Sequence, residues 1–298
     1  MISLLCYSFF PKFHVLMINL GKINRLYVVA EFPFGFQLAA SPDTHDDDEL
    51  VTLSRELAPA ETTTGTQLDV FVLTDNSGQL IATPQTPKIQ QGEVKVLRAV
   101  GATHFGAFFD WGLENDLLVP ANYQESPVSE GMNYVVYAFV EDATGRLLGA
   151  TRLHRFFKET APYLKVGDTV DALVFAKTDL GYKVLLDEKY LGLIFHSEAL
   201  VPLNIGDSLP GVVKHIREDG KIDVSMQRQD QAGRDALQQA ILDDLRAHGG
   251  LSTLTDKSPP DAIYKHFNVS KAAYKKALGA LFKQRLIHID KEKIRLIA

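Results

Sequence analysis

Phe105 and Phe108 bracket a glycine in Phe105-Gly106-Ala107-Phe108, Trp111 and Tyr123 follow, and Asp142 and Arg146 sit four positions apart across an Asp-Ala-Thr-Gly turn. Aromatic faces that stack on bases, beside cations that follow a phosphate backbone, are what holds single-stranded nucleic acid. Strand alternation places Phe105 and Ala107 on one face and Phe108 on the other unless the glycine is bulged. At least one of the two rings is therefore expected at the surface. Catalytic chemistry finds little support. The chain has no Gly-rich phosphate loop, no His-Glu-x-x-His pair and no Gly-x-Ser-x-Gly turn, and its nine histidines are scattered. The acidic run Asp46-Asp47-Asp48-Glu49, with Asp43 nearby, lacks the ligand spacing of a calcium loop and reads as a solvated loop. No enzyme, cofactor or metal site is expected.

The elements that must carry these residues recur three times. A glycine beside a bulky residue ends a strand-like run at Phe34-Gly35-Phe36, at Phe105-Gly106 and at Leu180-Gly181-Tyr182. A second glycine follows at Gly65, Gly131 and Gly206, opening the apolar runs LDVFVLT, MNYVVYAFV and SLPGVVKHI. A third turn, at Asp75 to Gly78, Asp142 to Gly145 and Glu218 to Gly220, leads into a last short strand each time. Short β-rich runs between Gly and Asp turns read as all-β units. Five strands in about 65 residues must close to hide their edges, and the OB-type barrel does so. The first glycine is expected to bend a barrel corner.

After Gln227 the period changes. Leu237, Ile241, Leu242 and Leu245 recur at helical spacing up to Gly249-Gly250. Ser258 is expected to cap a second helix with Pro259 at its first position, and Ser270 a third running from Lys271 to about Arg285. The runs LIHID and KIRLI then form a two-stranded ribbon, which completes a winged helix-turn-helix. Lys271, Lys275, Lys276 and Lys283 fall on the solvent side of the third helix, around Gly279. Such a face suits a phosphate backbone, while the lack of Arg, Asn or Gln at its middle argues against base-specific reading of a major groove.

Composition sets the frame. The chain has 298 residues, 46% hydrophobic and 23% charged, which excludes disorder and allows several small cores. A single cysteine, Cys6, cannot form an internal disulfide, so a reducing cytoplasm is the default. The net charge of −6 divides unevenly: residues 232–298 carry 12 Lys/Arg against 7 Asp/Glu, and residues 1–231 carry 19 against 30. The apolar first sixteen residues are broken by Pro11, Lys12 and His14, too short for a membrane span and without the pattern of a secretory signal. They read as an extension ahead of a start at Met17.

The Phe-Gly-Ala-Phe signature, the Asp142 to Arg146 turn and Gly192-Leu193-Ile194-Phe195-His196-Ser197-Glu198 together resemble the S1 RNA-binding domain. The order of three S1 units and a winged helix is similar to the conserved virulence factor B (CvfB) family of bacterial RNA-binding proteins. Asp110 to Pro120, Lys183 to Leu193 and Val269 to Leu281 carry that likeness. The resemblance implies a nucleic-acid face made of Phe105, Phe108, Asp142 and Arg146 in the second repeat, where Pro120 replaces the usual S1 histidine. In the third repeat Phe195 takes that histidine position beside His196, and Leu180 and Lys183 replace the two phenylalanines. Lys221 is added as a cation. The first repeat keeps Phe34 and Asp75 but has Gln37 and Gln79, and its charge is −6 over residues 17–90. It reads as a structural or protein-docking module.

The expected architecture is mainly β with a C-terminal α/β module: S1-like OB barrels at 17–88, 91–153 and 163–228, and a winged helix at 232–298. The expected function is a cytoplasmic RNA-binding protein that holds single-stranded RNA, with post-transcriptional regulation implied by the family. Two alternatives stay open, a DNA-binding transcription regulator acting through the winged helix and a protein-docking scaffold.

Overall fold

The computed structural model describes residues 18–44, 50–75, 77–199, 201–226, 231–290 and 292–297. The N-terminal extension and the Asp46 to Glu49 run lie outside the described residues. Three five-stranded barrels follow one another. The first contains β1 (Ile23–Phe32), β2 (Gly35–Ala39), β3 (Val51–Ser54), β4 (Gln67–Thr74) and β5 (Leu80–Thr83), closed in the order β1-β2-β3-β5-β4. The second contains β6 (Val94–Ala102), β7 (Gly106–Asp110), β8 (Leu117–Pro120), β9 (Asn133–Val140) and β10 (Leu147–Ala150), in the order β10-β9-β6-β7-β8. Its two end strands, β8 and β10, lie side by side without a hydrogen-bonded ladder. The third repeats the first: β11 (Thr169–Lys177), β12 (Gly181–Leu186), β13 (Tyr190–Phe195), β14 (Ser208–Ile216) and β15 (Ile222–Ser225), closed as β11-β12-β13-β15-β14.

Alternation closes each barrel on an apolar core of aliphatic and aromatic side chains. In β7, Ala107 and Phe109 are wholly buried while Phe108 between them turns outward. Each first strand carries one extra residue opposite β2, β7 or β12: the register slips at Val29, Val100 and Phe175. Such a bulge bends and twists the strand, which curls it round the barrel. The repeated glycine has a different task from the corner expected of it. A Cβ at Gly35 would lie 2.2 Å from the Leu53 carbonyl oxygen, at Gly106 2.8 Å from that of Val119, and at Gly181 2.1 Å from that of Ile194. The third strand of each barrel passes too close for any side chain there.

The chain divides into two compact units. One contains the first two barrels apart from Asn133–Val135, and the other contains the third barrel and the helical module. Within the first unit the barrels are joined by more than a tether. Phe71 of β4 meets Trp111 edge-on, with ring centroids 5.8 Å apart and both rings buried. The Gln91 amide donates to the Gly21 carbonyl at 2.8 Å, and the Thr74 hydroxyl to the Gly145 carbonyl at 2.9 Å.

The last module contains α1 (Gln231–Ala247), β16 (Leu251–Ser252), α2 (Pro260–Phe267), α3 (Lys271–Lys283), β17 (Ile287–Ile289) and β18 (Ile294–Leu296). Ile241 and Leu245 pack against Ile263, Tyr274, Leu278 and Leu281. The Tyr274 hydroxyl donates to the Leu254 carbonyl at 2.9 Å, and burial, with Asp244 adding to it, pushes its pKa upward. Ser270 caps α3 by accepting the Ala273 amide at 3.1 Å, as its sequence suggests. Ser258 does not cap α2. Its hydroxyl accepts the Thr255 amide instead, Pro259 occupies the cap position, and the helix opens at Pro260. The ribbon is three-stranded, in the order β16-β18-β17, because Leu251 and Ser252 pair with Arg295 and Ile294. No described helix is long and apolar enough to cross a membrane.

Candidate nucleic-acid interface

Residues paired across neighbouring strands point to the same side, so the register defines a transverse row on each barrel. In the first barrel the row runs Ala30, Gln37, Thr52, Ile81. In the second it runs Gly101, Phe108, Leu118. In the third it runs Ala176, Lys183, Leu193, Asp223, His215. The same place is therefore neutral in one barrel, aromatic in the next and ionic in the last. Beside each row an apolar side chain stands at the turn before the repeated glycine: Phe34, Phe105 and Leu180 are 61%, 53% and 66% exposed. Threonine staples two of these turns. The hydroxyls of Thr103 and Thr178 donate to the Gly106 and Gly181 carbonyls, each at 2.9 Å.

On the second barrel Phe105 and Phe108 share the surface, edge to face at 5.9 Å, with His104 edge-on to Phe105 at 5.4 Å. Tyr123 is half-buried, tilted against Phe139 at 4.8 Å. Trp111 is not part of this face. It is 4% exposed, plugs the contact with Phe71 and donates its indole N–H to the Asn115 carbonyl, so no base can reach it. Asp142 and Arg146 are both exposed. The hairpin bonds also revise the correspondence between turns. The amides of Asp75, Glu141 and Arg217 donate to the carbonyls of Gln79, Arg146 and Lys221 in turn. Lys221 thus matches Arg146, whereas Asp75 matches Glu141, and Asp142 lies one residue further into a longer turn.

Arg55 and Asp75 of the first barrel are engaged in its own turns. Arg55 donates to the Pro33 carbonyl at 3.2 Å and the Glu31 carboxylate at 3.1 Å, with its guanidinium 5.0 Å from the Phe36 ring. Asp75 accepts the Ser77 hydroxyl at 2.7 Å and the Gln79 amide at 2.9 Å, and these bonds, the hydroxyl's foremost, lower its pKa. Phe34 stacks parallel on Phe32 at 5.2 Å.

On the third barrel Arg217 grips Asp223 through three hydrogen bonds and lies 5.5 Å from the Phe195 ring, which fixes both a ring and a charge. The bond to Asp223 raises the pKa of the guanidinium. Lys183 is half-buried on the row. Lys221 is exposed, with Asp219 at 3.5 Å and Glu159 at 3.9 Å. A cleft of about 360 Å³ opens between this row and the segment entering the barrel. His196 lies elsewhere: its ring nitrogen bonds the Thr178 carbonyl at 3.0 Å and its ring meets Tyr182 edge-on. Arg217 and Asp223 escape a sequence reading because only the register makes them neighbours. On α3, Lys275, Lys276 and Lys283 are exposed and Lys271 is half-buried at the first turn. Among the described residues no group of three or more His, Cys, Asp or Glu could hold a metal ion.

Three small OB-type barrels, the second with an aromatic row and the third with an ionic one, followed by a winged helix, define a chain built from nucleic-acid-binding kinds of module. Residues 20–85 match the S1 domain, and residues 239–296 match the CvfB-like winged helix domain. The chain is similar to the conserved virulence factor B proteins. It is 27% identical to that of Staphylococcus epidermidis (strain ATCC 12228) over 241 residues, covering 78% of this chain and 80% of the relative. With that of Staphylococcus aureus (strain USA300) it shares 25% identity over 263 residues, 85% and 83% of the two chains. The uncharacterized protein YitL of Bacillus subtilis is 27% identical over 283 residues, 90% of each. A crystal structure of a multidomain protein with nucleic acid binding domains from Streptococcus pneumoniae is 24% identical, with a TM-score of 0.40, covering 93% of this chain and 98% of the other.

Proposed function

We propose that this chain is a non-enzymatic, cytoplasmic RNA-binding protein that holds single-stranded RNA on its second and third barrels, with backbone contacts from α3 and a role in post-transcriptional regulation. The four modules taken to act are those at 17–88, 91–153, 163–228 and 232–298. The observation that carries the reading is the edge-to-face contact of Phe105 and Phe108 on the second barrel, with Phe105 53% exposed at a stapled turn and Phe108 half-buried beside it on β7. An unpaired base covers such a ring by stacking on it. On the second barrel the turn from Asp142 to Arg146, and on the third barrel the cations Lys183 and Lys221, supply the charged groups of this reading.

A second reading has its own support. The exposed lysines of α3 suit duplex phosphates, as a DNA-binding regulator would need. Competition separates the two. Single-stranded RNA is expected to displace a labelled RNA far better than duplex DNA does at physiological salt. Duplex DNA winning by about tenfold or more would favour the regulator, and no affinity for either would favour a docking scaffold.

A further inference from the structure

Barrel three has a wall on one side. The connection from Leu153 to Ala161 runs along the edge of β13: the Leu191 amide donates to the Lys158 carbonyl at 2.8 Å, and Lys158 bridges Tyr190 as a short parallel strand would. His154 on this connection faces the barrel across the 360 Å³ cleft. The floor is apolar, made by Phe175, the bulged residue of β11, and by Leu193 of β13. The rim carries Lys183 and Lys221, and the carboxylate of Asp223 lines the interior, clamped by Arg217.

An apolar floor with a few convergent polar groups is the usual make-up of a small-molecule site, and this volume lies at the small end of the range. It is room for one nucleotide and not for a strand. We propose that the cleft takes a single nucleoside phosphate, its base on Phe175 and Leu193, its phosphate on Lys183 and Lys221, and a base amino group donating to Asp223. A carboxylate accepts from an amino group, so bases lacking one are disfavoured and uracil binds weakest. This deepens the RNA reading and rests on it for the choice of ligand chemistry. The nucleotide has two possible sources, one residue of a bound RNA or a free nucleotide.

The test titrates the full chain, with labelled isoleucine and leucine methyls, against the four nucleoside 5′-monophosphates and separately against a single-stranded RNA. The methyls of Leu180, Leu193 and Ile222 are expected to shift with GMP, AMP and CMP, and several-fold less with UMP. Leu193→Trp fills the cleft without changing charge and is expected to abolish those shifts. A concurrent loss of about tenfold in RNA affinity assigns the cleft to a residue of the RNA; unchanged RNA affinity assigns it to a free nucleotide. His154→Ala, on the wall outside the barrel, gives the same readout should the tryptophan unfold the protein. Methyls that ignore all four monophosphates, with both variants binding RNA as the parent does, would overturn the cleft and leave the RNA reading standing. Monophosphate binding without RNA binding would overturn the RNA reading and leave the cleft.

Discussion

The Asp223 carboxylate receives the Arg217 guanidinium at 2.7, 3.0 and 3.1 Å, with the carboxylate side chain 12% exposed and the arginine 35%. A buried charge that loses its partner costs more than the pair contributes, because it keeps its desolvation and forfeits its compensation. Arg217→Met is therefore expected to destabilise the chain by about 1–3 kcal/mol, the lower part of that range reflecting the arginine's exposure. Adding Asp223→Leu should recover most of the loss. Urea denaturation of the single and double variants checks this, and a double variant weaker than the single would reject it.

Stacking and charge can be told apart on the second barrel. Phe105→Ala with Phe108→Ala should lose roughly 1–3 kcal/mol per stacked base and leave the salt dependence of RNA binding nearly unchanged. Because Phe105 stands outside the core, the melting transition should hardly move. Fluorescence anisotropy at several salt concentrations, beside a thermal melt, reads both.

On α3 the opposite signature is expected. Lys275→Ala with Lys276→Ala should weaken binding across sequences and reduce the slope of log affinity against log salt by about 0.7 for each single-strand phosphate no longer neutralised. An unchanged slope would place these lysines outside the interface.

Two glycines should respond with opposite signs. Gly181→Ala puts a methyl 2.1 Å from the Ile194 carbonyl oxygen, so the strands must part, at about 1–3 kcal/mol. Gly279→Ala, in the interior of α3 with nothing within 4 Å of the new Cβ, should stabilise by about 0.5–1 kcal/mol. Denaturant midpoints of the two variants decide it.

Acid should loosen the ion pair made by Asp110. Its pKa is lowered below the ordinary 3.8 first by the hydrogen bond from Lys88 and then by the Gly112 amide. A carboxyl whose folded pKa is depressed contributes fully above its unfolded value, and that contribution disappears as pH falls through the folded one. Stability should thus fall more steeply below pH 3.8 in the parent than in Asp110→Asn, a small difference since the carboxylate is half exposed. Equal slopes in a pH series of urea melts would contradict it.

Much of this architecture is legible in the order of residues. The three glycine markers fall at the start of β2, β7 and β12, and the helical period of Leu237 to Leu245 becomes α1. What spacing cannot convey is which neighbour a residue meets. Trp111 has the composition of a base-stacking residue, and only the juxtaposition of two barrels turns its ring into a plug. Ser258 carries a capping pattern, yet its hydroxyl reaches back to the Thr255 amide and leaves the start of α2 to the prolines. The two-residue strand β16 is too short to register as a run. Its pairing comes from the packing of the helical module and not from its own preferences.

The plug formed by Trp111 and Phe71 also sets where this chain can be cut. An excised second barrel would present a naked indole and an excised first barrel a naked benzyl ring, each a sticky spot that invites aggregation. Dissection into fragments, whether by the experimenter or by gene rearrangement, is better tolerated when residues 18–150 travel together. The smallest transferable part of this half of the molecule is a pair of barrels.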